Sequence, residues 1–240
     1  MFIRHVGKLT FRVLLLAAAL FLYFTDSEKL NFISMPRQGF ADGFLYFVWI
    51  TLVVGMLYRI FPNKRITLGA RKHFACSYKA SPLVESAAGN MPAARKQLHK
   101  GAFLCAAVWI VFNAAIFLAF RLPGILTPAT ALIIMLFYSV CDVVCILFFC
   151  PFRVFFMRNR CCAVCRIYNW DYLMMCTPMV LFPHVYSISL VLISVIVLLR
   201  WEISLHNNPH FFITETNETL RCELCEDKLC LLRNRKAGKN

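Results

Sequence analysis

Charged residues are scarce in this chain, and acidic residues are the scarcest of them. Only 16% of the 240 residues are charged, and 12 acidic residues face 26 lysines and arginines. Soluble globular domains carry about 25% charged residues and about 45–50% apolar residues, whereas 60% of this chain is hydrophobic. The composition therefore excludes an ordinary soluble domain.

The sequence motifs of several familiar enzymes are also missing. The chain contains no glycine-rich phosphate loop, no dinucleotide-binding fingerprint, no His-Glu-x-x-His pair and no nucleophile elbow. These absences argue against a familiar soluble-type enzyme. The sequence itself names no biological role.

Long apolar runs are what the chain does contain. A membrane helix needs ~20 mainly apolar residues to cross ~30 Å of hydrocarbon. The run over residues 172–199 would form a helix of about 42 Å, too long for one upright crossing, and Pro183 interrupts it. We predict that this run turns back as a hairpin. Four further runs predict clear spans: residues 11–24, 44–61, 102–120 and 129–150.

The predicted fold class is therefore all-α, a polytopic helical bundle with four clear spans and a broken fifth run. A β-barrel is disfavoured because the apolar runs are continuous and do not alternate. The predicted organisation has four parts. They are a membrane domain (1–150) with a basic loop at 62–101, a segment with the first cysteine pair (151–171), a broken hairpin (172–205), and a tail with the second pair (206–240).

Basic residues in the loops predict the orientation in the membrane. The loop 62–101 carries eight lysines and arginines against a single acid, Glu85. Such loops stay in the cytoplasm, so the N-terminus is expected there, in the plasma (inner) membrane. The C-terminal tail is expected on the same face because it is predicted to share a metal site with residues 151–171. Arg12 is expected to snorkel to the same face. The net charge of +14 then indicates contact with the lipid bilayer and with a protein partner at the cytoplasmic face; no nucleic acid is expected.

Two Cys-x-x-Cys pairs are the strongest candidate site among the 12 cysteines. Each pair can wrap two thiolates around one ion, and two pairs complete a tetrahedral four-cysteine zinc site. The predicted ligands are Cys162, Cys165, Cys222 and Cys225, with Cys161 and Cys230 as possible extra ligands. Clustered thiolates also suit an iron–sulfur cluster or a redox-active dithiol. Cysteines in apolar runs are interpreted as small hydrophobic residues.

Asp142 and His184 are polar residues inside apolar runs. Charge in the middle of a membrane helix costs about 2.5–3.5 kcal/mol on insertion scales. Asp142 is therefore expected to face other helices, either fastening them or relaying an ion. His184 follows Pro183 and is expected at a helix break. The sequence thus leaves three roles open: an interaction protein with a structural zinc site, a redox protein using the cysteines, and a small transporter using Asp142.

Overall fold

The computed structural model describes residues 2–35, 39–61, 72–82, 91–159 and 161–221. Over these ranges the chain is mostly helical, contains no strand, and includes five helices long and apolar enough to cross a membrane. To that extent the predicted all-helical architecture is confirmed. The spanning helices are α1 (Phe2–Thr25), α2 (Phe40–Ile60), α3 (Met91–Arg121), α4 (Pro128–Leu147) and α6 (Val185–Asn207).

Helix α3 corrects one sequence prediction. Residues 62–101 were expected to form a loop, but α3 begins at Met91 and extends the third span by about three turns. Residues 62–71 and 83–90 lie outside the described part of the chain. A basic sequence such as Arg95-Lys96 has good helix propensity, so low hydropathy does not end a helix.

The turn between α3 and α4 follows its local sequence. Gly124 has φ 72°, in the left-handed region that glycine adopts without a steric penalty. Thr127 then caps α4: its hydroxyl accepts from the Thr130 N–H, and the Thr130 hydroxyl accepts from the Thr127 N–H. Pro128 occupies the first helical turn, where its missing N–H costs nothing.

Between α4 and α6 the chain is made of short pieces. A π-helical turn, Phe152–Phe156, follows Pro151, and 3₁₀ turns cover Cys162–Val164 and Tyr168–Trp170. The short helix α5 (Asp171–Cys176) leads into a 3₁₀ stretch, Thr177–Leu181. These last two pieces rise about 19 Å in total, and the chain then reverses at residues 182–184 into α6.

Contacts between elements assign the helix ends to two ends of the bundle. One end, called the opposite end here, is marked by Phe32, which stacks on Tyr186 near the start of α6 with ring centroids 5.2 Å apart. The other end, called the thiol end here, holds residues 142–159 and 161–171. Arg12 in the first half of α1, Arg59 at the end of α2, and Trp201 near the end of α6 all bind residues there. Both described chain ends therefore lie at the thiol end.

The hydrophobic core runs along α1, α2, α4 and α6 and includes buried Leu45, Met56, Leu132 and Leu190. A second cluster caps the end of α6, where Trp201 packs on Phe74 and Phe212. Many outward side chains of the long helices are large, apolar and exposed. Such surfaces suit lipid contact.

Candidate functional site: a thiol cluster beside buried ion pairs

Three cysteines from separate segments meet at the thiol end. Cys145, Cys150 and Cys162 line one cavity there, and the Cys145 and Cys162 thiols favour the thiolate form of Cys150. The Cys162 sulfur also lies 3.4 Å from the carbonyl oxygen of Cys145. We call Cys145, Cys150 and Cys162 the thiol cluster. Cys145 was predicted to be a hydrophobic filler, and the structure places its thiol in polar contact instead.

The local fold explains this meeting. Helix α4 ends at Leu147, and Pro151 starts the π-helical turn, so Cys150 lies in the short link between two helical pieces. The backbone N–H of Arg153 in that turn also donates to the Cys150 sulfur. The 3₁₀ turn that begins at Cys162 then brings the third thiol back against the end of α4.

These contacts and burial shift the pKa values of the thiols in opposite directions. Hydrogen bonds from the Cys145 and Cys162 thiols lower the pKa of Cys150, and the Arg153 guanidinium lowers it further. The shared hydrogen bond with Cys150, together with burial, raises the pKa of Cys162. Burial raises the pKa of Cys165 to about 11. Cys150 is therefore the thiol that ionises first, and a thiolate is the nucleophilic form of cysteine.

A largely apolar cavity of about 320 Å³ opens next to the thiol cluster. Its volume lies at the lower limit of ordinary ligand pockets. Five cysteines line it: Cys141, Cys145, Cys150, Cys162 and Cys165. Its other walls include the aromatic rings of Trp109, Phe112, Phe137, Tyr138 and Phe152. We call it the thiol cavity.

Two ion pairs, one buried and one partly buried, hold the cysteine-bearing segment against the helices. Arg166 donates to Glu202 of α6 at 2.6 Å, and the Trp170 indole donates to the other Glu202 oxygen at 2.9 Å. On the far side, Arg59 of α2 donates to Asp171 at 2.8 Å and also to the side-chain oxygen of Asn169. Buried charges need such partners because water no longer solvates them.

A third ion pair joins α1 to α4. Arg12 donates through Nη1 to the Asp142 carboxylate at 2.7 Å and to the Ser139 carbonyl at 2.5 Å. Asp142 thus faces another helix. Arg12 turns inward to this carboxylate, which differs from the snorkelling geometry expected from its sequence position.

The other predicted site residues are not gathered in one place. Cys162 and Cys165 lie at the thiol end, whereas Cys222, Cys225 and Cys230 lie outside the described residues. Within the described ranges, no group of three or more His, Cys, Asp or Glu side chains has the arrangement of a metal site. Cys161 is buried beside Cys162.

His184 lies at the opposite end, far along α6 from the thiols. The His184 Nδ1 accepts a hydrogen bond from the backbone N–H of Tyr186, and the His184 backbone N–H donates to the Ser187 hydroxyl at 2.9 Å. These bonds satisfy backbone donors at the start of α6. The histidine therefore acts as a helix cap at the predicted break.

Sequence reasoning missed Cys145, Cys150 and the Arg59–Asp171 pair. A signal was present, because Cys141, Cys145 and Cys150 are spaced by four and five residues, and Cys150 precedes Cys162, the start of the first Cys-x-x-Cys pair, by only 12 residues. Comparisons of the chain with protein-family models, with curated proteins and with solved structures find no match.

Proposed function

We propose that this chain is an integral membrane thiol–disulfide redox protein whose reactive group is Cys150. The observation that carries the proposal is that Cys145, Cys150 and Cys162 line one cavity, with the Cys162 sulfur 3.4 Å from the Cys145 carbonyl oxygen. A lone buried cysteine packs as a small hydrophobe. Three thiols within hydrogen-bonding reach, with acidity concentrated on one, provide a nucleophile and two candidates for a resolving thiol.

The chemistry is a two-step exchange with a substrate disulfide. The Cys150 thiolate attacks one substrate sulfur, the substrate S–S bond breaks, and the departing sulfur takes up a proton. The Cys162 thiol then gives up its proton and attacks the Cys150 sulfur of the mixed disulfide. The second substrate thiol is released. Two electrons pass to the substrate, which becomes a dithiol, and a Cys150–Cys162 disulfide remains.

The thiol cavity supports a particular class of substrate. Its walls beside the thiols are aromatic and aliphatic, so desolvation favours a disulfide with apolar substituents. Burial of such groups contributes about 25 cal/mol per Å² removed from water. Cys145 is the alternative resolving thiol, since it contacts the same sulfur.

The test is the stoichiometric reaction of detergent-purified protein with an aromatic disulfide, followed by peptide mapping. The wild type should form one internal disulfide between Cys150 and either Cys162 or Cys145, releasing two thiols from the reagent. Cys150→Ser should abolish this product. Cys141→Ser is the matched control, since Cys141 lines the same cavity. A wild type that yields no internal disulfide would refute the proposal.

The acidity of Cys150 gives a second readout of the same site. Because its pKa is lowered by the surrounding thiol donors, alkylation of Cys150 should persist at about pH 6, where an ordinary thiol of pKa ~8.5 is almost wholly protonated. Loss of that residual reaction in Cys150→Ser assigns it to this residue. A reaction that falls tenfold per pH unit below pH 8 would contradict the proposed thiolate.

A structural zinc site shared with the tail is the second candidate. Arg221, which directly precedes Cys222, donates to the Ser81 hydroxyl at 2.6 Å, and this contact lies at the end of the bundle that holds Cys165. The two cysteine pairs thus start from the same end. Purified protein should then contain one zinc, lost in Cys222→Ser; iron with visible absorption would instead indicate an iron–sulfur cluster.

The proposal also includes a location. The thiol end faces the cytoplasm in the plasma membrane, because its flanking segments hold most of the chain's basic residues. The cytoplasm keeps protein thiols reduced at rest, so the cluster would begin each cycle as thiols. Its basic surface is available to a protein partner. A cysteine-reactive reagent that cannot cross membranes should leave the cluster unmodified in intact cells.

A further inference from the structure

The thiol cavity has a mouth on the outer surface of the helix bundle. Two of its lining residues, Phe112 of α3 and Phe137 of α4, are 48% and 52% exposed. Both belong to helices long and apolar enough to cross a membrane. The outward faces of such helices meet lipid. These two rings therefore mark an opening between α3 and α4 that leads sideways into the bilayer.

A groove along α4 connects this mouth with the cysteines. Phe137, Cys141 and Cys145 all line the cavity and follow one another at intervals of four residues, which places them on one face of the helix. The distance from Phe137 to Cys145 along the helix axis is about 12 Å. Cys150 and Cys162 line the same cavity beyond the end of α4. The groove thus leads from the outer surface to the thiol cluster.

The depth of the mouth restricts what enters through it. Phe137 lies at the middle of α4, and the hydrocarbon core of a bilayer is ~30 Å thick. The mouth therefore opens about halfway through the hydrocarbon. Transfer of a polar group into such a medium without a hydrogen-bonding partner costs several kcal/mol. A molecule that uses this mouth must be apolar and dissolved in the lipid.

Fixed aromatic rings form the wall between the mouth and the thiols. The Trp109 ring lies across the rings of Tyr138 and Phe152, with centroids 4.9 and 6.0 Å apart. The Trp109 indole donates to the Thr177 hydroxyl at 3.1 Å, and the Tyr138 hydroxyl donates to the Asn113 side chain at 3.0 Å. These bonds hold the rings in place. A flat conjugated ring packs well in such surroundings.

We infer that the thiol cavity binds a membrane quinone, which the thiol cluster reduces. A quinone combines a flat ring, an apolar chain that dissolves it in lipid, and a capacity for two electrons. These features match the aromatic wall, the lipid-facing mouth and the cysteines in turn. The inference rests on the proposed function, because the same Cys150 and Cys162 supply the electrons. The quinone is an electron acceptor additional to the disulfide.

The reaction has two steps. The Cys150 thiolate adds to a ring carbon of the quinone and forms an S–C bond. The Cys162 thiol then gives up its proton and attacks the Cys150 sulfur, the S–C bond breaks, and its electron pair passes to the ring. The two ring oxygens take up one proton from Cys162 and one from solution. The products are a hydroquinone and a Cys150–Cys162 disulfide.

The experiment mixes reduced, detergent-purified protein with a decyl-substituted benzoquinone in the absence of oxygen. Loss of the quinone absorbance follows its reduction, and peptide mapping locates the disulfide. One quinone should be consumed per protein, leaving one internal disulfide that includes Cys150. Cys150→Ser should form no such disulfide. The same benzoquinone without the decyl chain should need a much higher concentration for the same rate.

Phe137→Ala tests the mouth. The quinone concentration for half-maximal rate should rise about fivefold, which corresponds to about 1 kcal/mol for one aromatic contact. The maximal rate should stay the same, because Phe137 lies about two helical turns from Cys145. Phe103→Ala is the matched control, since Phe103 is an exposed ring of α3 that is not part of the cavity wall.

The outcomes separate this inference from the proposed function. If the aromatic disulfide yields the internal disulfide but the quinone is not consumed, the inference is wrong and the proposed function stands. If neither reagent yields it, both are wrong. A stable quinone adduct on Cys150 without a disulfide would show simple alkylation and overturn the inference. Equal reaction of the chainless quinone, or equal effects of Phe137→Ala and Phe103→Ala, would also overturn it.

Discussion

Replacing Asp142 by leucine, Arg12 by methionine, and both together measures how much the α1–α4 ion pair stabilises the bundle. The two side chains are only 16% and 18% exposed, and their charged atoms are 2.7 Å apart. Leucine and methionine preserve most of the side-chain volume, so each change mainly removes charge. The pair joins two helices that also share the hydrophobic core.

The two single variants should lower the free energy of unfolding by different amounts. Leaving one charge of a buried pair without its partner costs about 3–5 kcal/mol, and partial exposure favours the lower value here. Asp142→Leu should therefore cost about 3 kcal/mol, because a guanidinium cannot shed its proton. Arg12→Met should cost only about 1 kcal/mol, since the carboxyl group it leaves behind can be neutralised by a proton.

The double variant shows whether the ion pair itself stabilises the bundle. Replacing both members of a buried pair by apolar residues is often nearly neutral, so we expect a loss of only about 1 kcal/mol and a coupling free energy of about 3 kcal/mol. Unfolding of the four proteins in mixed micelles provides the values. Additive losses, with a coupling below about 0.5 kcal/mol, would show that the pair is incidental. Asp142→Asn, which keeps a hydrogen-bond acceptor, should fall between wild type and leucine.

Three other experiments, two substitutions and one pH profile of the wild type, test neighbouring contacts. Gly55→Ala should lower stability by about 1–3 kcal/mol, because an added Cβ would overlap the Tyr172 hydroxyl, whereas Gly43→Ala meets no atom within 4 Å and should be tolerated in the same thermal assay. Glu202→Gln should weaken two hydrogen bonds to the cysteine-bearing segment and speed alkylation of Cys165. In the wild type, burial raises the pKa of Cys165 to about 11, so its alkylation rate should still be rising with pH between 9 and 11; a plateau near pH 9 would contradict this.

The helices were predictable because lipid imposes a simple rule on sequence. Each spanning segment must be long, apolar and helical to satisfy its own backbone, and the runs at 44–61 and 129–150 match α2 and α4 closely. The residues at which the helices begin and end were less predictable. Helix α3 continues into residues 91–101 although these are polar, since a helix that leaves the membrane meets no penalty in water.

The thiol cluster was harder to predict, because it depends on irregular backbone. Cys145 follows the helical period, but Cys150 comes after the end of α4, and the π-helical turn that follows has no reliable sequence signal. The partner of Asp142 was equally hidden. Arg12 is 130 residues away in the chain, and only the packing of α1 on α4 brings the two together.

The ion pairs and the thiol cluster are linked through irregular backbone, whose polar groups need hydrogen-bonding partners near a membrane. Residues 148–159 and 161–170 form no continuous helix, so their polar groups require partners in the protein or in water. Arg59 and Glu202 supply such partners from α2 and α6, one on each side of the segment. Charged side chains are costly in lipid unless they are paired, and here the pairing also fixes the segment that carries Cys162. A reactive thiol needs neighbours held within a fraction of an ångström. The same charges that permit this irregular turn therefore also hold its cysteines around one cavity.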